Sequence, residues 1–499
     1  MLPPTRRTAR LTLLALAALL AGAAAPRQSP AQASRGALER GTLAITNVAV
    51  VPMTSDTVLR GATVLVRDGR IVAVGPVRSV AVPAGARRID GRGRYLIPGL
   101  ADMHTHLYSD GEVPDSVAPH ELGVMLANGI TAARLMIGTP EHLALRRDVE
   151  SGRLRGPQLW VASPQFAGKQ YENGRVVTTP EEARAAVREV ADAGYDFVKL
   201  TLHITRPVYD AIVDEAARRG IRVVGHVDPQ VGLSRALEAG QQIEHPDNYF
   251  AAVLADHAPS RTSVDGHYVF QLKNWEGLDH VDDAKVSRVA GATARAGVWS
   301  TPTLTVFNRA FAAKESDEDI RSRPDWQMMP PKFRDTYLGA RERYWSPANA
   351  GARTEARRRR YVEVRNRLVR EIADSGGKIL AGSDSPEWFH VYGWALHREL
   401  ESLVAAGLTP FQALSAATRN PAEFLGAEAE WGTIQPGRRA DLVLVSGNPL
   451  QDIRNTGRIE GVAVGGRWMD RPALQRMIRT AADRLQGAPA DSTRAAGSR

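Results

Sequence analysis

The chain predicts an α/β fold: a (β/α)8 TIM barrel with a small β-sandwich built from both ends of the chain. Three observations carry this expectation. Short apolar strand-like segments alternate with helical stretches across residues 98–431, the pattern of parallel strands joined by crossover helices. Eight such segments occur, which suits a closed barrel of this length. Stretches of β character stand at the two ends, 41–97 and 432–476, where they can pair beside the central domain. No Gly-rich phosphate loop follows the first barrel segment, which argues against an open doubly wound sheet.

Taken in order, residues 1–33 read as a secretory signal peptide. Arg6, Arg7 and Arg10 form a basic start, Leu11 to Leu20 an apolar run, and small residues around Ala25 and Ala33 offer cleavage points. The run is too short for a membrane span, and the expected location is periplasmic or extracellular. An uncleaved anchor is the alternative. Next come β segments at 43–51, 62–66 and 70–74, with Asp68-Gly69 as a hairpin turn. The barrel strands are expected near 99–106, 131–136, 158–162, 197–202, 223–227, 242–245, 298–303 and 378–382. Helices are expected at 181–193 and 207–219, the second with Pro207 in its first position. β character returns at 441–445 and 461–468, followed by a C-terminal helix and flexible tail at 477–499.

At 499 residues and 43% hydrophobic content the chain can bury a large core. It has no cysteine, so disulfides, thiolate metal sites, cysteine nucleophiles and lipidated cysteine anchors are excluded. The net charge is +9, of which four positives precede Ser34, leaving about +5 (9 minus 4) for the mature chain. The densest basic run, Arg357 to Arg360, lies in a segment with helical spacing of Val362, Val364, Leu368 and Ile372, and reads as a solvated helix face. No nucleic-acid partner is expected. A small-molecule substrate is, and a homo-oligomer is open.

The chemistry concentrates at the ends of the strand segments. His104 and His106, two apart in a strand, point to one face, as two metal ligands must. Lys199, His226, His245 and Asp384 end later strands. Singly, each has a bland reading: a satisfied polar group, an ion pair, or a helix cap. Together they place six residues of ligand type on one rim, where barrel enzymes carry their chemistry. A protonated lysine cannot bind a cation. Burial lowers its pKa, and a neutral amine can take up carbon dioxide to form a carbamate able to bridge two metals.

This set resembles the amidohydrolase superfamily, in its imidazolonepropionase-like and prolidase-like branch. The resemblance spans roughly 41–471 and extends through His397-Arg398-Glu399-Leu400-Glu401, Ala406-Gly407-Leu408-Thr409-Pro410, Thr418-Arg419-Asn420-Pro421-Ala422, Gly432-Thr433-Ile434-Gln435-Pro436-Gly437 and Ala440-Asp441-Leu442-Val443-Leu444. It implies two divalent metal ions, expected to be Zn2+. His104, His106 and Asp384 would hold one and His226 and His245 the other, with carboxylated Lys199 and a hydroxide between them. It also implies that Asp384 passes a proton from the attacking water to the leaving amine.

The chain departs from near relatives at His226-Val227-Asp228, where many read His-Ala-His, and in the histidine-free loop 163–171. Substrate contacts are sought at Lys169, Tyr171, Tyr249 and Tyr268. Arg309, Lys332 and Arg334 are offered as further rim cations for a substrate carboxylate. The long segments 246–281 and 307–353 are expected to be rim loops. The resulting expectation is an exported metal-dependent hydrolase of amide bonds in dipeptides or N-acyl amino acids. A cyclic-amide or lactone hydrolase is the alternative, and a catalytically inactive binding protein on the same fold is the non-enzyme one. A deaminase is disfavoured, since the His-x-x-Glu of one deaminase branch is absent after the fifth strand.

Overall fold

The structure, a computed structural model, describes residues 35–108, 115–170, 174–258, 272–309 and 315–487. The signal segment 1–33 lies outside the described residues. Among the described residues no helix is long and apolar enough to cross a membrane.

The first unit is a β-sandwich layer that recruits both ends of the chain. Its strands are β1 (Thr42–Val50), β2 (Leu59–Arg67), β3 (Arg70–Pro76), β4 (Arg87–Asp90) and β5 (Tyr95–Pro98), joined late in the sequence by β16 (Leu442–Val445), β17 (Ile459–Val464) and β18 (Arg467–Asp470). The order is β18-β17-β16-β5-β1-β2-β3, with β4 also on β1. The seam between the two ends is antiparallel, Leu442 opposite Pro98 through Val445 opposite Tyr95. Alternate residues of β1 (Leu43, Ile45) join Val64, Val66, Leu96, Leu442, Leu444 and Trp468 in one apolar core. Asp68 (φ 47°) and Gly69 (φ 77°) are both left-handed, as a two-residue hairpin turn requires. The stretch 461–468, read from sequence as one β piece, is a hairpin whose Gly465-Gly466 turn also has positive φ. β4 and β5 carry too few alternating apolar residues to be seen in the sequence.

The central unit holds β6 (Leu100–Thr105), β7 (Ile130–Leu135), β8 (Gln158–Val161), the short β9 (Gln165–Ala167) and β10 (Gly174–Val176), then β11 (Phe197–Leu200), β12 (Arg222–Gly225), β13 (Gln242–Glu244), β14 (Trp299–Thr301) and β15 (Lys378–Ile379). Every ladder among them is parallel. The runs β6-β7-β8 and β11 to β15 meet at two seams. Ser163 N–H donates to Phe197 O (2.8 Å) and Asp196 N–H to Val161 O (2.8 Å). At the other seam Met103 N–H donates to Ala381 O (2.9 Å) and Asp384 N–H to His104 O (2.7 Å). Backbone bonds thus link the eight principal strands in sequence order around a TIM barrel. β9 and β10 are an added pair outside that count.

The helices are set by local signals. Pro180–Ala193 opens on a Thr179/Glu182 capping box and ends on left-handed Gly194, burying Ala183, Ala186, Val187 and Val190. Arg206–Arg219 likewise ends on a left-handed glycine, Gly220, but opens without a capping hydrogen bond, and its Pro207 stands one position later than the spacing suggests. The basic segment forms the helix Ala352–Asp374, but it is not a solvated face. Arg358 is buried with its guanidinium over the Trp345 ring (3.6 Å), while Arg357 pairs with Asp279 and Arg360 with Asp283. Near the C-terminus a helix spans Arg471–Gly487. It begins six residues before position 477, because Asp470 ends β18 and caps directly by accepting from Ala473 N–H.

Candidate metal centre

The functional side chains converge where the barrel strands end. His104 is the fifth residue of β6 and His106 follows its end. Lys199 is on β11, His226 follows β12, His245 follows β13, and Asp384 lies beyond β15. His104 Nε2 lies 3.2 Å and His106 Nε2 3.3 Å from Asp384 Oδ1. His245 Nδ1 lies 3.8 Å from Asp384 Oδ2. The imidazoles of His104 and His245 are 4.9 Å apart between ring centres, and those of His226 and His245 5.1 Å. His104, His245 and Asp384 offer ligand atoms within 4.8 Å of one another, so the tightest triple takes one histidine from each of the two sites implied by the resemblance. All six side chains line one cleft with Ile137, Gln165, Val306, Phe307, Glu387 and Trp388.

Backbone geometry aims these groups. His245 (φ 60°), Thr303 (φ 44°) and Asp384 (φ 52°) all hold left-handed conformations although none is glycine. Such strain persists only where surrounding contacts impose it, and it gathers at functional sites. Gly382 allows the approach of the Asp384 segment: a Cβ there would lie 2.5 Å from Thr301 Cγ2 and 2.7 Å from His104 Cβ.

Behind the ligands lies a buried polar relay. His104 Nδ1–H donates to Glu244 Oε2 (2.7 Å), which leaves Nε2 facing Asp384. Glu244 Oε1 accepts from Arg134 Nη2 (2.8 Å), and Arg134 also donates to Gln242 Oε1 (2.6 Å). Arg134 is wholly buried, with the rings of Phe197 and Phe424 5.5 and 5.6 Å away. Burial works against charge on Glu244, but Arg134 and His104 outweigh it and hold the carboxyl below its usual range. His245 Nδ1 meets Thr303 Oγ1 at 2.7 Å, and His226 Nδ1 meets Thr201 Oγ1 at 3.2 Å. Carboxylate or hydroxyl partners on the far ring nitrogen are what orient metal-binding histidines. The donor set therefore fits divalent metal ions of the nitrogen- and oxygen-binding kind.

Burial pulls the Lys199 amine down to about 8, against the opposing influence of Glu244 and Asp384. Burial favours protonation of Asp384, yet His104, through its charge and its hydrogen bond, and then His106 hold it well below the carboxylate range. Glu387 moves the other way. Burial and then the Asp384 charge push it up to about 8.

The sequence-derived substrate contacts fare differently. Tyr171 and Tyr268 lie outside the described residues. Tyr249 is buried, its hydroxyl 3.5 Å from Ser300 Oγ, and does not face the cleft. The chain turns sharply after His245 into the 3-10 helix Pro246–Tyr249, and the ring joins the apolar core with Phe250 and Val253. Lys169 is exposed and stands off the described cleft wall. Of the rim cations, Arg309 pairs with Glu315 (3.3 Å), Arg334 donates to Met329 O (2.9 Å) and stacks on Trp326 (5.2 Å), and Lys332 is exposed and does not line the described cleft wall. Sequence reasoning missed Glu244, Arg134, Glu387 and Trp388. The signal for Glu244 was its place beside His245, on the alternate face of β13 that points into the barrel. Glu387 and Trp388 sit in an irregular segment that has no period to read.

Comparison with known proteins agrees with this geometry. The Amidohydrolase family model matches residues 95–469. The chain is 24% identical over 416 residues to an imidazolonepropionase of Symbiobacterium thermophilum, covering 78% of this chain and 84% of that one. It is 26% identical to an adenine deaminase of Rubrobacter xylanophilus, covering 88% of this chain but 60% of that one. Among solved structures, a putative prolidase from Bifidobacterium longum superposes with a TM-score of 0.64 at 25% identity, over 89% of this chain and 99% of that one. A bottromycin amidohydrolase reaches 0.69 at 24% identity, over 89% and 90%. With most of the chain matched and a buried His/His/Asp cluster on the barrel rim, the protein belongs to the amidohydrolase family and is a metal-binding hydrolase.

Proposed function

We propose that the mature chain is an exported hydrolase that cleaves the C–N amide bond of dipeptides or N-acyl amino acids. The observation that carries this reading is the convergence of four histidines, Lys199 and Asp384 in one cleft, with His104 fixed by the Glu244–Arg134 pair. The prolidase likeness supports the substrate class.

Two divalent ions, Zn2+ foremost, would be held by these residues and would supply an acidified water and a polarised carbonyl. The chain's own groups do the rest. Glu244 keeps His104 in the tautomer that presents Nε2. Lys199, with its amine lowered to about 8, has the neutral form available near pH 7 that carbamate formation requires. Asp384, buried and ionised between His104, His106 and His245, stands where it can accept the proton of an attacking water and return it to a leaving amine. The cleft, about 640 Å³ including its open mouth, has room for a small substrate.

The test is a screen of dipeptides and N-acyl amino acids against the zinc-loaded mature protein, with elemental analysis of the same sample. Turnover with about two ions per chain, the content of a two-metal site, supports the reading. Turnover confined to lactones or cyclic amides, or a metal-free protein of full stability, overturns it. Export is checked by N-terminal sequencing from the native host. A start near Pro26 or Ser34 is expected, and an intact Met1 in the soluble cytoplasmic fraction contradicts export.

A further inference from the structure

We propose that Glu387 is a specificity-determining residue that recognises a protonated amine on the substrate. This inference rests on the hydrolase reading above and narrows its substrate class to compounds with a free amino group, such as unblocked dipeptides. Glu387 and Trp388 line the same cleft as Asp384 and the histidines. The Glu387 carboxylate is a hydrogen-bond neighbour of one side chain, the Tyr337 hydroxyl at 3.3 Å. No lysine, arginine or histidine side chain lies within ion-pair distance of it among the described residues. The nearby arginines are already engaged. Arg309 and Arg323 both pair with Glu315, and Arg323 also donates to Phe389 O at 3.2 Å.

Without a cation beside it the carboxyl avoids the cost of an unpaired charge by holding a proton, and an ammonium group reaching it from the cleft would let it ionise as a charge-assisted partner. The open side of Glu387 is the cleft. One neighbour suits an ammonium group: Trp388 lines the cleft beside Glu387, backed by Tyr337 stacked on it (centres 5.8 Å apart, 23° between planes), and an indole ring attracts a cation. The remaining described wall is Ile137, Val306, Phe307 and Gln165 beside the metal-ligating residues. It holds no arginine, and Lys199 is its sole lysine, so a substrate carboxylate has no dedicated side-chain partner among the described residues.

The experiment uses the metal-loaded mature protein and matched probes, dipeptides with a free amine and the same dipeptides N-acetylated. Wild type, Glu387→Gln and Glu387→Asp are compared by kcat/KM and by calorimetric binding. Wild type is expected to prefer the free-amine probes. In Glu387→Gln that preference should fall tenfold or more, chiefly through KM, because a charged hydrogen-bond acceptor becomes a neutral one. Glu387→Asp should recover part of it. An unchanged preference in Glu387→Gln, or a wild-type preference for the acetylated probes, overturns the assignment while leaving the hydrolase reading intact. If no probe is cleaved, the hydrolase reading falls and calorimetry decides. Tighter binding of the free-amine probe that is lost in Glu387→Gln supports the subsite, and equal or absent binding overturns it.

Discussion

A single proton on His104 decides which of its nitrogens can serve a metal. Glu244 accepts a hydrogen bond from Nδ1–H and so keeps the proton on that nitrogen, and Arg134 keeps Glu244 charged in the barrel interior. Glu244→Gln would keep the shape but weaken that hold. Its metal affinity is expected to fall by about 10- to 100-fold, the usual cost of losing such a partner, read by chelator competition. Unchanged affinity would remove Glu244 from the orienting role. Asp384→Asn tests the proton carrier beside it. Turnover in the metal-replete variant should drop roughly a hundredfold or more, the scale of general-base catalysis, and near-wild-type turnover would exclude the role. The six residues that share the cleft were legible in the sequence because each lies in or just after a segment with simple apolar spacing. The residues that orient them were not. Glu244 and Arg134 are charged groups inside the barrel, and composition gives no cue that a buried arginine will find its carboxylate across the fold.

The strand ends are where sequence reading and structure part most clearly. β15 is two residues long, although the apolar pattern continues to Gly382. Leu380 N–H still bonds Ser300 O of β14 (2.9 Å), and beyond it the chain bonds with β6, as the Met103–Ala381 and His104–Asp384 backbone bonds show. Gly382 makes that crossing possible, since any side chain there meets Thr301 and His104. Gly382→Ala is therefore expected to destabilise the fold by about 1–3 kcal/mol, the typical cost of overpacking a filled interior. It should also weaken metal binding, because the displaced neighbour, His104, belongs to the buried group that fits a metal site. Thermal melts with and without metal check this, and a variant equal to wild type in both would show that the segment has slack. Positive φ at His245, Thr303 and Asp384 has no one-dimensional signature, and the same holds for the loop that carries Glu387 and Trp388. Element existence follows from periodicity, whereas the direction in which an element ends is set by tertiary contacts.

Across the whole molecule, the stretch His397 to Glu401 turns out to tie units together. The helix Trp394–Ala405 sends Arg398 to Asp325 (2.7 Å) and Glu399 to the backbone N–H groups of Leu304 and Thr305 (2.9 and 2.7 Å). His397 bridges the barrel and the C-terminal β segment. Its Nε2–H donates to Asn128 O (3.0 Å), and its Nδ1 meets the Thr456 hydroxyl (2.9 Å), whose proton also has Ile453 O as an acceptor (2.8 Å). Burial lowers the His397 pKa from 6.5 to about 4, with the Asn128 bond acting the other way and Arg398 adding to the fall. The sign of the consequence is fixed. Above pH 6.5 the ring is neutral in both the folded and unfolded chain, and the stabilisation is complete. Between about 6.5 and 4 the unfolded chain binds a proton that the folded chain refuses, so stability falls as pH falls. The loss from this one group is on the order of 3 kcal/mol and is complete below about pH 4. In metal-free protein, which removes ligand loss from the comparison, the melting temperature of wild type should drop between pH 7 and 4.5 by more than that of His397→Gln. The variant should already be less stable at pH 7, because glutamine cannot reproduce both bonds in the same space. Equal drops in the two proteins would mean that the junction between the barrel and the β-sandwich does not depend on the charge state of His397.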